Sequence, residues 1–348
     1  MRGIIEKLEK YHSLDTSEYK YLLENRNEES TELLREKAVK VRTENYGHDV
    51  YVRGLIEVTN YCKNNCYYCG IRAGNRCADR YRLTEDEILS CCDLGYEIGY
   101  RTFVLQGGED PVYTPMRIES LVYRIKDKYP DCAVTLSLGE HPRDVYRSWF
   151  SAGADRYLLR HETADGEHYA RLHPENLTLD NRKRCLYDLK DIGFQVGCGF
   201  MVGSPWQTAD HLAKDLKFIE EFRPHMVGIG PFIPHKDTPF RDMTAGTLEE
   251  TLFLLSIVRL ILPGVLLPAT TALGSIKENG RELGILAGAN VCMPNLSPKD
   301  VRSKYMLYNN KLSSGAEAAE DFEILSTRMK NIGYDVVVAR GDSKIKNN

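Results

Sequence analysis

Residues 51–70 read YVRGLIEVTNYCKNNCYYCG, an apolar and β-branched run that opens onto Cys62, Cys66 and Cys69. The first half predicts a strand at 52–59, and the second a loop carrying Cys-x3-Cys-x2-Cys at the strand's C-terminal end. Three thiols at this spacing suit iron–sulfur or zinc ligation better than disulfide pairing. A closed structural zinc or an electron-carrying cluster takes four protein ligands, whereas a reactive metal site leaves one position open for substrate or cofactor. Cys77, eight residues beyond Cys69, is the residue that could close the site. On these residues alone, both an open and a closed site stand.

Outward from this stretch the same pattern repeats. TFVLQGG (102–108), AVTLSLG (133–139), RYLLRHE (156–162), QVGCGFMVG (195–203), MVGIGPFI (226–233), LLPATTA (266–272) and ANVCMPN (289–295) read as further strands. Amphipathic stretches separate them, such as the helix opening at Thr84, where Thr84 and Glu87 fit a capping box, and TLEETLFLLSIVRLIL (247–262). Strands alternating with helices imply a parallel sheet with right-handed crossovers. Eight such units predict an α/β fold, a closed (β/α)8 TIM-type barrel, over 51–300. Residues 1–50 read as charged helices and form an N-terminal helical extension. Residues 301–348 read as a polar stretch, a helix at about 316–331, the strand-like YDVVVA and a mobile tail, GDSKIKNN.

Composition narrows the function classes. A net charge of −4 over 348 residues offers no basic field for nucleic acid. No run is long enough to span a membrane, and MRGIIEKLEKYH lacks the apolar core of an export signal. Ten cysteines without such a signal point to a reducing compartment, the cytoplasm. Cys91, Cys92, Cys132 and Cys185 read as packing residues, and Cys198 and Cys292 fall within strands.

A parallel barrel carries its chemistry at the C-terminal ends of its strands. Those ends hold the cysteine knot, Gln106-Gly107-Gly108-Glu109-Asp110, Thr135, Ser137 and Glu140, Arg160-His161-Glu162, Thr270 and Thr271, and Met293. Singly, each has an ordinary explanation. Glycine pairs make turns, Arg160-His161-Glu162 could be a self-satisfied polar cluster, threonines favour strands, and Met201 and Met293 fill cores. Their coincidence with three thiols at one mouth favours a functional site.

The knot, with Tyr68 directly before its third cysteine and the GGE element at 107–109, resembles the radical S-adenosylmethionine superfamily. RYRLTEDEI, VLQGGEDP, VTLSLGE, GADRYLLRHETA, MVGIGPFIPHKDTP, PATTALG and GANVCMPN are similar to one branch, the [FeFe]-hydrogenase maturases of the HydE type. The resemblance implies one [4Fe-4S] cluster on Cys62, Cys66 and Cys69, with one iron left free of cysteine to chelate S-adenosylmethionine. It implies that Gly107, Gly108 and Glu109 lie near the methionine amino group. Gln106, Ser137, Glu162 and Arg182 would surround the rest of the cofactor, with Tyr68 and Met201 beside it. Deeper in the barrel, Thr135, Arg156, Arg160, Thr270, Thr271 and Met293 would line an anion-binding cavity for a small cysteine-bound iron carbonyl cyanide complex, a precursor of the hydrogenase diiron subcluster. An external electron donor and hydrogenase maturation partners follow from the same likeness.

Two features depart from the family pattern. No cysteine follows Cys292, which leaves one cluster, and Phe200 and Trp206 are bulky for the adenine side. A methylornithine-synthase-like mutase shares the barrel and much of the register, whereas a biotin-synthase-like enzyme would need further strand cysteines. Outside catalysis, an iron–sulfur or zinc carrier would use Cys77 as its fourth ligand.

Overall fold

The apolar runs become parallel strands, and the amphipathic stretches become helices that cover them. The computed structural model describes residues 1–312 and 318–345. Its strands are β1 (Asp49–Val52), β2 (Gly54–Thr59), β3 (Thr102–Gly107), β4 (Ala133–Ser137), β5 (Arg156–Leu158), β6 (Gln195–Cys198), β7 (Met201–Val202), β8 (Met226–Val227), β9 (Gly230–Pro231), β10 (Val291–Cys292) and β11 (Asp335–Val337). Every residue of β2 is buried, as befits a strand covered on both faces.

Six strands pair in the order β2-β3-β4-β5-β6-β8, all parallel. Parallel bridges at Met226–Leu266, Pro268–Val291 and Leu55–Asn295 carry the pairing on to 266–268, to 291–295 and back to β2. The result is a ring of eight parallel segments, the barrel expected from the sequence. Several segments differ from their expected extents. The first strand begins earlier, at Asp49, and its lower part also pairs with β11. The segment expected at 266–272 makes only single bridges. Pro268 lacks an N–H for the ladder, and Thr271 already starts a helix, Thr271–Ile276. The fifth and sixth segments bend at their tops into the short pair β7-β9. Gly199, at φ 153° between β6 and β7, takes this bend.

Between strands, helices start where the caps predicted. Thr84 and Glu87 form the reciprocal capping box of Glu85–Glu97. The N-terminal helices Arg2–Tyr11, Thr16–Glu24 and Glu28–Tyr46 share one hydrophobic core with the barrel, running from Ile5 to Tyr334. Cys91, Cys92, Cys132, Cys185, Cys198 and Cys292 are all buried. Among the described residues no helix is long and apolar enough to cross a membrane.

The expected mobile tail is partly a plug. Arg156, at the start of β5, donates to the carbonyls of Arg340 and Gly341 at 3.0 and 3.1 Å and pairs with Asp342 at 2.7 Å. Lys344 N–H donates to Gly264 O and to Tyr46 Oη, both at 3.1 Å. Residues 340–345 therefore close the N-terminal end of the barrel, while 346–348 lie outside the described residues. The helix expected near 316–331 is described from Ala318 to Asn331, and its first two expected positions lie outside the described residues.

Candidate active site

The cysteine loop leaves β2 and is laced from within by Arg80. The Arg80 guanidinium donates to four backbone carbonyls, those of Asn60, Ile71, Arg72 and Asn75. Asn60 Nδ2 donates at 2.8 Å to both Asp79 O and Lys304 O, which ties the loop to the chain beyond 300. Gly70 N–H adds a bond of 2.9 Å to Leu307 O. These protein contacts hold the loop in shape, a preorganised support for ligands.

Gly107 and Gly108 matter for close approach. A Cβ on Gly108 would lie 2.2 Å from Tyr61 O and 2.6 Å from Cys62 Cβ, so only glycine lets the end of β3 touch the first cysteine. The next residue, Glu109, receives Glu140 N–H at 2.9 Å and Lys63 Nζ at 3.1 Å, which joins three mouth loops. Gln106 and Ser137 stand in register on β3 and β4, and Gln106 Nε2 reaches Tyr305 Oη at 3.4 Å.

Burial pushes the three thiols up, Cys66 to about 12, and the thiols of Cys66 and Cys69 are raised further by their neighbouring cysteines. Ligation needs the thiolate, so loading a metal here releases protons and brings the missing positive charge. Among the described residues, no three His, Cys, Asp or Glu side chains converge on a single ion. A cluster spreads its thiolates over separate irons, so convergence on one centre is not what it requires. Cys77 is exposed, its N–H held by Asn75 Oδ1 at 3.0 Å.

Around the cysteines, Arg182 on the helix Leu179–Ile192 is oriented by Glu140, which accepts from its Nε, and by Arg160 O, 2.6 Å from its Nη1. Asn181 donates to the other Glu140 oxygen. Although burial opposes the charge, Tyr169 and Glu140 hold Arg182 firmly cationic. Tyr68 packs with Met201, Leu172, Phe232 and Phe240 in an apolar wall, and its hydroxyl meets His173 Nε2 at 3.2 Å. His173 Nδ1 lies 3.0 Å from Tyr169 O, which fixes the proton on Nδ1 and leaves Nε2 to accept from Tyr68. Phe200 is buried beside His161, and Trp206 lies on the surface against Phe240 and Arg171.

Buried polar atoms without partners mark the inner mouth: Thr135 Oγ1, Arg160 Nε and Nη2, Glu162 Oε2, Tyr169 Oη and Thr270 Oγ1. Arg160 Nη2 is 3.2 Å from Glu162 Oε2, yet the angles make no hydrogen bond. Buried polar groups are nearly always satisfied, so this set fits a polar, charged ligand such as S-adenosylmethionine or an anionic substrate. Thr271 follows Thr270 at the helix start, and Met293 packs against Met226, Leu266 and Val291. Arg156 does not join them. Its backbone pairs in register with Thr135, but its side chain turns to residues 340–342 at the floor and also donates to Thr102 Oγ1 at 3.1 Å.

Sequence reading missed Glu140 as the residue that orients Arg182. It also missed the buried pair Glu57–Lys311. Burial raises the Glu57 carboxyl and Lys311 opposes the rise. A glutamate inside the apolar run LIEVT was the available signal, since a charge within a buried strand needs a partner.

A glycine-bordered cysteine loop at a parallel barrel mouth defines a class, the radical S-adenosylmethionine enzymes, and the Radical SAM superfamily model matches residues 56–219. More narrowly, the chain belongs to the HydE family of [FeFe]-hydrogenase maturases. It is 44% identical over 311 residues to the [FeFe] hydrogenase maturase subunit HydE of Thermotoga maritima, covering 89% of this chain and 88% of that protein. It is also 27% identical to 3-methylornithine synthase of Methanosarcina acetivorans, over 95% of this chain and 92% of that protein. The methylornithine synthase (PylB) structure superposes with a TM-score of 0.84 at 26% identity, covering 96% of this chain and 97% of that one. HydG, a maturase of the [FeFe]-hydrogenase, shares the fold with a TM-score of 0.79 at 22% identity, over 95% of this chain and 74% of that one. Membership of the radical S-adenosylmethionine superfamily implies a [4Fe-4S] cluster and S-adenosylmethionine.

Proposed function

We propose that Cys62, Cys66 and Cys69 hold one [4Fe-4S] cluster whose remaining iron has no cysteine ligand and receives S-adenosylmethionine. The enzyme then acts on a small cysteine-bound iron carbonyl cyanide complex during assembly of the hydrogenase diiron subcluster. The observation that carries this reading is the set of unpartnered buried polar atoms on Thr135, Arg160, Glu162, Tyr169 and Thr270. When bound, the cluster and S-adenosylmethionine supply one-electron cleavage of a carbon–sulfur bond.

The protein's own groups do the holding. Arg182, kept charged and aimed by Glu140, takes the methionine carboxylate. Glu162 takes the amino group or ribose, with Gly107, Gly108 and Glu109 near the methionine amino group, Gln106 and Ser137 around the rest of the cofactor, and Tyr68 and Met201 along the apolar side. Arg160, Thr135, Thr270, Thr271 and Met293 face the substrate, where a guanidinium with hydroxyls suits a carboxylate or cyanide. Ten free cysteines suit a reducing, cytosolic setting, in which an external one-electron donor and maturation partners operate.

The relationship to 3-methylornithine synthase supports one competing reading, a mutase acting on an amino acid. The test is anaerobic reconstitution with iron and sulfide, followed by reduction with S-adenosylmethionine and either the iron complex or lysine. Adenosyl-radical turnover on the iron complex and none on lysine is expected. Turnover on lysine alone would replace the maturase reading with the mutase.

A further inference from the structure

Glu162 is a side-chain-bearing residue at φ 64°, in the left-handed region. Thr163 N–H donates to His161 O at 2.8 Å, so Glu162 sits at the centre of a three-residue γ-turn. This form of the turn, with positive φ, is rare and strained, and such strain persists only where surrounding contacts over-determine it. Ordinary strand continuation would swing the carboxylate elsewhere.

The surrounding contacts come from one buried pair. His161 and Asp215 are both fully buried. Gly199 N–H donates to His161 Nδ1 at 3.3 Å, and Glu162 N–H donates back to Gly199 O at 3.0 Å. With Nδ1 accepting, the neutral ring carries its proton on Nε2, which lies 3.4 Å from Asp215 Oδ1 without hydrogen-bond geometry. The same Asp215 oxygen receives Ala164 N–H at 2.5 Å. Asp215 therefore holds the residue after the turn by a hydrogen bond and packs against the ring of the turn's first residue, from the helix Ala209–Phe222 outside the barrel. On the other side position 199 must be glycine, because a Cβ there would lie 1.9 Å from Gly228 O. Burial pushes His161 down to about 3 and Asp215 up, which keeps the imidazole neutral.

We infer that His161 and Asp215 are positioning residues whose contacts with Gly199 and Ala164 hold the strained turn that projects Glu162 into the cofactor site. The inference rests on the proposed function for the identity of the ligand that Glu162 meets. The strain itself is independent of it. A polar cluster that merely closed a barrel end would have no need to fix both flanks of a single residue.

The test uses the full chain carrying His161→Phe, which fills the space but accepts nothing from Gly199. In the metal-free crystal structure, Glu162 should relax to negative φ. After reconstitution, calorimetry should give an S-adenosylmethionine dissociation constant raised about tenfold or more, with iron content unchanged. His161→Asn, whose amide oxygen can accept from Gly199, should recover much of the affinity. If the phenylalanine variant does not fold, Asp215→Leu removes the brace from the helix side and is read in the same two ways. A turn that stays at positive φ, or unchanged affinity after the turn has relaxed, would overturn the inference. A wild-type chain with a full cluster that binds no S-adenosylmethionine would overturn the proposed function, and the inference with it. The φ measurement in the metal-free protein distinguishes these two failures.

Discussion

Arg156 and Arg160 stand four residues apart, one at the start of β5 and the other just beyond its end, and their surroundings are opposite. The Arg156 guanidinium is fully buried and spends its donors on Thr102, the carbonyls of Arg340 and Gly341, and Asp342. Arg160 keeps two nitrogens without partners beside an equally unpartnered Glu162 oxygen. The same residue type is a structural rivet at the closed end and an unanswered donor at the open one. Arg53 is buried near Arg156 and leaves Nε and Nη2 unpartnered, so the contrast belongs to these two arginines and not to whole barrel ends.

The comparison can be broken by substitution, starting with the largest expected effect. Cys66→Ala should abolish cluster assembly and S-adenosylmethionine cleavage, with thermal unfolding little changed, because the loop is held by Arg80 and Asn60. Iron analysis and product chromatography check this. Arg160→Met should lower conversion of the iron complex by roughly 10- to 100-fold, the worth of a lost charged hydrogen bond. Its stability should change little, since removal of unsatisfied donors offsets the lost 3.2 Å charge contact with Glu162. Arg156→Met should do the reverse. It strands buried acceptors and breaks an ion pair, a loss of about 3 kcal/mol in denaturant unfolding, with S-adenosylmethionine affinity kept.

The smallest effect is a pH dependence. Burial tends to raise the Asp342 carboxyl, but Arg156 outweighs it and holds the carboxyl down from the ordinary 3.8 to about 2. A depressed carboxyl stabilises the fold fully above its ordinary value, and the contribution is lost as pH falls through about 2. Unfolding temperatures between pH 5 and 2 should therefore fall less steeply in Arg156→Met than in the parent, because the variant has already lost the pair.

Much of this was legible in the sequence, for physical reasons. The alternation of buried runs with amphipathic helices specifies a parallel barrel, and the knot after its first strand sets three thiols at the mouth. Depth along a strand was harder to read. Arg156 and Arg160 fall on the same face by period, and only the return of residues 340–345 to the barrel floor separates their roles. Thr270 and Thr271 looked like strand residues because β-propensity says nothing of Pro268 and a helix start. The turn at Glu162 was invisible, since its brace, Asp215, lies on a helix more than fifty residues away in sequence.

An iron left open at the mouth for S-adenosylmethionine, as proposed above, has a direct spectroscopic signature. Electron paramagnetic resonance of the reduced, reconstituted protein tests it, recorded with and without S-adenosylmethionine labelled at its amino nitrogen or carboxylate. The expected result is a cluster signal that shifts on addition and shows coupling to the label, in the parent and in Cys77→Ala alike. A signal indifferent to S-adenosylmethionine, or a cluster lost with Cys77, would contradict it.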